Sequence, residues 1–134
     1  MLEFDLEKIK DIIRKASSDS KIYIGCDSER VLKKGVWFSE YATVVVIHID
    51  GNKGCMVFGK VESEKDIDVN KSKPILRMMN EVYRASDLYL QLEDVLKGKN
   101  VQIHLDINPN ESCGSNVAYN QAIGYVRGVC HVNP

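Results

Sequence analysis

Long apolar runs are missing from this sequence. No stretch approaches the roughly 20 residues that a bilayer-spanning helix needs. The opening MLEFDLEKIK is acidic and amphipathic rather than a leader peptide. Both absences predict a soluble, cytoplasmic protein with no membrane partner. Cysteine is sparse and scattered: Cys26, Cys55, Cys113 and Cys130 make no CxxC pair and no metal-finger spacing, which speaks against a zinc finger and predicts free thiols in a reducing compartment. Phosphate-cradling loops of the GxxxxGK or GxGxxG kind are absent. Charge of one sign is not in excess either. Eighteen basic residues against 19 acidic ones leave a net charge of -1, so no global basic field advertises a polyanionic partner, although local patches stay open. With no internal repeat, low-complexity tract or linker in 134 residues, of which 44% are hydrophobic, the expectation is one domain over residues 1–134.

What is present is organised around KIYIGCDSER, Lys21 to Arg30. Ile22, Ile24 and Cys26 alternate with Tyr23, Gly25 and Asp27, which is the period of two of a strand. Aspartate is depleted in strands because its short charged side chain resists burial and bonds to nearby backbone. Asp27 therefore needs a reason. Val101, Ile103 and Leu105 alternate in the same way with Gln102, His104 and Asp106, so a second acid ends a second strand. If the two strands are parallel neighbours, both carboxylates emerge together.

Around these two segments the periodicity predicts a helix from Leu2 to Ala16, a strand from Ile22 to Cys26, and a polar turn at Lys33-Lys34-Gly35 leading into a β-rich run from Val36 to Ile49. Asp50-Gly51-Asn52-Lys53-Gly54 is a hairpin signal that joins this run to an antiparallel strand, Cys55 to Val61. Glu62 to Ser72 is charged and unpatterned, which predicts a loop. Ile75, Met78, Met79, Val82, Ala85, Tyr89, Leu92 and Leu96 recur at helical spacing between Pro74, suited to a first turn, and Gly98, suited to a C-cap. A third helix is expected from Val117 to Val126 and a last short strand from Val129 to Val132. The order is α, βββ, α, β, α, β, a mixed sheet with right-handed crossovers and helices on its faces.

That order, with IGCDSE at Ile24 to Glu29 and IHLDINPNESCGSN at Ile103 to Asn116, resembles the YkuK-type family of ribonuclease H-like proteins, in which a GxDS segment ends the first strand and an HxD segment the fourth. The resemblance implies an α/β fold with a mixed five-stranded sheet (three antiparallel strands, then parallel ones), here with an extra N-terminal helix and a shortened C-terminus. It also implies a carboxylate cluster of Asp27, an acid from the long helix and Asp106, holding Mg2+ or Mn2+ for hydrolysis of a phosphodiester, in RNA, DNA, a hybrid of the two or a small molecule. Glu81 is the best match for the helix acid, since it borders the apolar stripe beside Met78 and Ala85, whereas Asp87 and Asp94 point away. Catalytic members of the wider fold usually add a fourth acid from a C-terminal helix. Nothing acidic follows Glu111 here, which keeps a non-catalytic module binding nucleic acid or protein as the alternative.

The chemistry of the residues agrees with the metal reading. Hard divalent cations take carboxylate oxygens, two such ions activate water and steady a leaving oxygen, and three clustered carboxylates without a cation would raise one another's pKa. Each residue alone also has a plainer account. Asp27 and Asp106 suit Asx turns, and Glu81 suits a surface pair with Arg77 or Arg84. Ser28, His104 and Asn116 are candidates for orienting the site or touching substrate, while a histidine placed like His104 is more often simply a half-buried strand residue. Lys71, Lys73, Arg77 and Arg84 could meet a phosphate or simply form a solvated helix face. Trp37 and Phe38 read as core, with base stacking as the alternative. A homodimer through an exposed strand edge is a further expectation.

Overall fold

The structure, a computed structural model, describes residues 2–50, 53–66, 75–105, 116–132 and 134. Its strands are β1 (Leu2–Glu3), β2 (Lys21–Lys33), β3 (Val36–His48), β4 (Cys55–Lys65) and β5 (Asn100–His104), and its helices are α1 (Leu6–Lys15), α2 (Ile75–Leu96) and α3 (Asn116–Cys130). The strands form one mixed sheet in the order β1-β4-β3-β2-β5. β2, β3 and β4 make an antiparallel meander, β5 joins β2 in parallel, and β1 joins β4 in parallel. This is the mixed five-stranded α/β sheet that the sequence predicts.

Several boundaries differ from those read off the sequence, each for a local reason. The helix expected from Leu2 begins at Leu6, because Asp5 caps it by accepting a hydrogen bond from the Lys8 amide. This frees Leu2 and Glu3 to pair with Phe58 and Gly59. β2 does not stop at Cys26 but runs on to Lys33, since Lys34 and Gly35 both take positive φ, +50° and +79°, and close a two-residue hairpin onto β3. β4 likewise continues to Lys65, because the backbone of Glu62 to Lys65 completes the ladder with β3 while the side chains stay exposed. The strand expected at Val129 to Val132 is not one. Ala122, Val126 and Cys130 keep a buried stripe at i+4 spacing, so α3 continues to Cys130, where His131 at φ +59° ends it. The fifth strand is thus N-terminal rather than C-terminal.

The expected hairpin between β3 and β4 is present around Asp50 and Gly54, and Gly98 at φ +78° ends α2 with the Lys99 amide donating to the Leu96 carbonyl at 2.9 Å. The core lies on one face of the sheet. Ile22, Ile24, Val45, Ile47, Phe58 and Ile103 meet Ile9 and Ile13 of α1 and Val82, Leu88 and Leu92 of α2 there, all essentially without exposure, and α3 packs on α2 through the Tyr83–Tyr125 edge contact among others. On the opposite face Tyr23, Gly25, Ala42, Val44 and Val46 are only half-buried. Among the described residues no helix is long and apolar enough to cross a membrane.

Candidate functional site

β5 pairs with β2 only as far as Gly25 opposite His104, whereas β2 runs eight residues further against β3, its one partner there among the described residues. From Cys26 onward one edge of β2 is therefore free of any described strand. Asp27 sits at the start of this free edge, so it is a mid-strand residue that marks where a neighbouring strand ends. Gly25 allows the junction: a Cβ there would stand 3.3 Å from the His104 carbonyl oxygen, tighter than ordinary contact.

Alternation of side chains decides what each residue faces. Cys26 and Ser28 point to the helical side, and Asp27 points to the open side. The Ser28 hydroxyl donates a short hydrogen bond to Oε2 of Glu81, which is 3% exposed on α2. The wheel reading of α2 thus holds for orientation: Glu81 faces the sheet, and Asp87 and Asp94 are exposed. Asp27 is exposed, and its Oδ1 accepts from the Ser28 amide at 2.9 Å. Asp27 and Glu81 accordingly approach β2 from its two sides, with Ser28 bonded to both. Burial pushes the Cys26 thiol up to about 11, and the fields of Glu81 and Asp27 add to that rise against a Thr43 hydrogen bond and Arg84. Cys26 Sγ accepts from Thr43 Oγ1 at 3.5 Å, so this cysteine is a core residue and not a nucleophile.

On the open side, Asp27 shares a concavity of about 420 Å³ with Gly25, Ala42, Val44, His104 and Leu105, and a smaller one of about 210 Å³ with Ser28, Glu29, Glu40, Ala42 and Val61. His104 is exposed. Its Nε2 lies 3.1 Å from Gln102 Oε1, and its ring lies 4.9 Å from that of Tyr23, which in turn meets His48 edge-on at 5.4 Å. Asp106 lies outside the described residues, and Asn116 opens α3 with a side chain outside them. Among the described residues no three metal-ligating side chains are grouped.

Arg84 serves the framework. It donates to Glu62 at 3.0 Å and to Glu64, and its guanidinium lies 4.3 Å over the ring of Tyr41. Tyr41 is buried and accepts from Asn80 at 3.2 Å, and burial raises its phenol above the ordinary value. Lys71 and Lys73 lie outside the described residues. The sequence reading missed Gly25 and the helical-side direction of Ser28. A glycine two residues before a strand acid, together with strict alternation carried past Asp27, was the available signal for both. It also placed Trp37 in the core, yet Trp37 is 43% exposed near the hairpin turn.

A family model described as ribonuclease H-like matches residues 5–133. No curated protein and no solved structure matches the chain.

Proposed function

This chain belongs to the ribonuclease H-like family, and from that premise we propose that it is a divalent-metal-dependent phosphodiesterase acting on nucleic acid, with Asp27, Glu81 and Asp106 as its carboxylates. The observation that supports this reading most is that Asp27, exposed where β5 ends, and Glu81, buried on the helical side, flank the same point of β2 and are both bonded to Ser28. A carboxylate that is 3% exposed is costly unless cations or donors stand against it. Oxygen donors of this kind suit Mg2+ or Mn2+, which would supply an activated water and steady the leaving oxygen of a phosphodiester. Asp106 enters the reading from the sequence alone. Of this chain's own groups, Ser28 orients Glu81, and His104 on the wall of the Asp27 concavity is available to touch substrate or move a proton.

The test is a Mg2+ and Mn2+ titration followed by thermal melting and by a nuclease screen, on the wild type and on Asp27→Asn, Glu81→Gln and Asp106→Asn. A cation that binds the native state raises its melting temperature by mass action. The expected outcome is metal-dependent stabilisation and cleavage in the wild type, with cleavage abolished in each variant. Full activity in any of the three rejects the assignment of that residue.

One observation favours a second reading, a non-catalytic binding module on the same scaffold. Asp27 already satisfies one oxygen with the Ser28 amide, as a purely local bond would. That reading predicts association without turnover in any divalent metal.

A further inference from the structure

β2 and β3 project past the rest of the sheet. Pairing with β5 ends at Gly25 and pairing with β4 at Phe38, with one more backbone bond from the Asp66 amide to the Trp37 carbonyl at 3.0 Å, so among the described residues no other strand flanks the two from there to the Lys34-Gly35 turn. A solvated hairpin tip ordinarily carries small polar residues. This one carries Leu32 at 54%, Val36 at 41% and Trp37 at 43% exposure, three of the most exposed large apolar side chains described. Leu32 and Trp37 share a rung and a face, with Val36 on the other face of the same tip, and apolar side chains exposed together on a rung mark a contact surface.

The charges say what kind of contact. The segment Arg30 to Phe38, RVLKKGVWF, holds three cations and no acid. Arg30 pairs with Asp66 at 2.6 Å and Lys33 with Glu40 at 2.9 Å, while Lys34, and Lys65 at the adjoining end of β4, have no carboxylate partner among the described residues. The Arg30 guanidinium lies 4.2 Å over the Trp37 ring. One ring face is thereby held by a cation, which fixes the ring before any ligand arrives, and the residue remains exposed elsewhere.

Direction along the strand joins this tip to the candidate site. Ser28, Arg30 and Leu32 alternate onto the helical side of β2, and Trp37 lies opposite Leu32 in the β3 register. From Ser28, bonded to Glu81, to the Leu32–Trp37 rung is four residues, about 13 Å. A strand of nucleic acid whose phosphate lies at the carboxylates can reach the tip within a few nucleotides.

We propose that the β2–β3 hairpin tip is a nucleic-acid contact: Trp37, held by Arg30, stacks on an unpaired base of a single-stranded segment, and Lys34 and Lys65 meet its phosphates. The proposal rests on the nucleic-acid part of the function proposed above and not on turnover. Base stacking on an aromatic side chain is sequence-tolerant, and loss of the ring costs roughly five- to a hundred-fold in affinity per base.

Trp37 is the sole tryptophan of the chain, so its fluorescence reports the tip alone. The experiment titrates the full chain, in chelator to prevent cleavage, with a short single-stranded oligonucleotide of mixed sequence. Trp37 emission and the anisotropy of the labelled oligonucleotide are read together. Expected are quenching that tracks binding, a roughly five- to hundred-fold weaker affinity in Trp37→Ala with near-normal affinity in Trp37→Phe, and a salt dependence flattened by about one counterion in Lys34→Glu. Binding by anisotropy with Trp37 emission unchanged, or undiminished affinity in Trp37→Ala, overturns the proposal, as does failure of any oligonucleotide to bind. Emission that shifts with protein concentration alone, together with sedimentation as a dimer, assigns the tip to a second copy and equally overturns it. Failure of the catalytic reading looks different: quenching persists, and no metal supports cleavage. Conversely, cleavage without quenching rejects the hairpin contact and leaves the carboxylate assignment standing.

Discussion

At the scale of single residues, the sheet gives adjacent positions opposite fates. Cys26 is buried with a thiol raised to about 11, while Asp27 next to it is exposed. Because the folded pKa of Cys26 lies above the ordinary 9.0, the stability it contributes is fully present below pH 9 and is lost as pH rises toward 11. Chemical denaturation across that window should show a loss on the order of 1–2 kcal/mol, reduced in Cys26→Ala; an unchanged slope in the variant would place the alkaline loss elsewhere, Tyr41 being the next group raised by burial. At neutral pH, a thiol reagent should modify exposed Cys55 far faster than Cys26 or Cys130, whose thiols burial also raises. Ser28 is the other residue whose role depends on a neighbour. Ser28→Ala removes a donor from buried Glu81 and should cost about 1–3 kcal/mol, read as a drop in unfolding midpoint without metal present.

At the scale of elements, backbone pairing and caps set the boundaries more than side-chain composition does. The Asp5 cap decides where α1 starts, and Asp5→Ala should lower stability by about 1 kcal/mol. The turn between β2 and β3 needs left-handed backbone at two consecutive residues, and Gly35 at φ +79° meets that demand without a Cβ. Gly35→Ala should cost about 1–2 kcal/mol, whereas Lys34→Asn should be neutral or stabilising because asparagine before glycine suits this turn. Equilibrium unfolding of both variants checks the pair; a harmless Gly35→Ala would mean that the hairpin is not closed as described. Glu62 to Lys65 illustrate the converse. Their composition reads as loop, yet an open rung on β3 recruits them as strand.

At the scale of the molecule, the described helices gather on one sheet face, and neighbouring valines of β3 feel the difference. Val45 is fully buried in the core on the helical side, and Val44 lines the open concavity beside Asp27 and His104. Val45→Ala should cost about 2 kcal/mol and Val44→Ala no more than about 0.5 kcal/mol. Equal costs would show that the second face is covered too. The same one-sidedness sends the two described acids to opposite sides of β2, since period-two alternation cannot bring residues 26, 27 and 28 to a single surface. A metal gripped by both would have to sit at the free edge of β2, which is where β5 has ended.

Much of the architecture is legible along the chain because it depends on local periodicity. The alternation of Ile22 to Asp27 and of Val101 to His104, the stripe of α2 from Met79 to Leu96, the β3–β4 hairpin and the orientation of Glu81 toward the sheet all follow from spacings of 2 and 3.6 residues. Other features required partners distant in sequence. β1 exists because β4 offers an edge to Leu2 and Glu3, and Cys130 is helical because α2 covers the stripe it continues. Ser28 meets Glu81 across 53 positions of chain, and Trp37 is exposed one rung past the point where, among the described residues, the β4 ladder ends at Phe38 and Lys65. Periodicity assigns a residue to a face. What stands against that face is decided only when the chain closes on itself, because burial and pairing are properties of two surfaces and not of one.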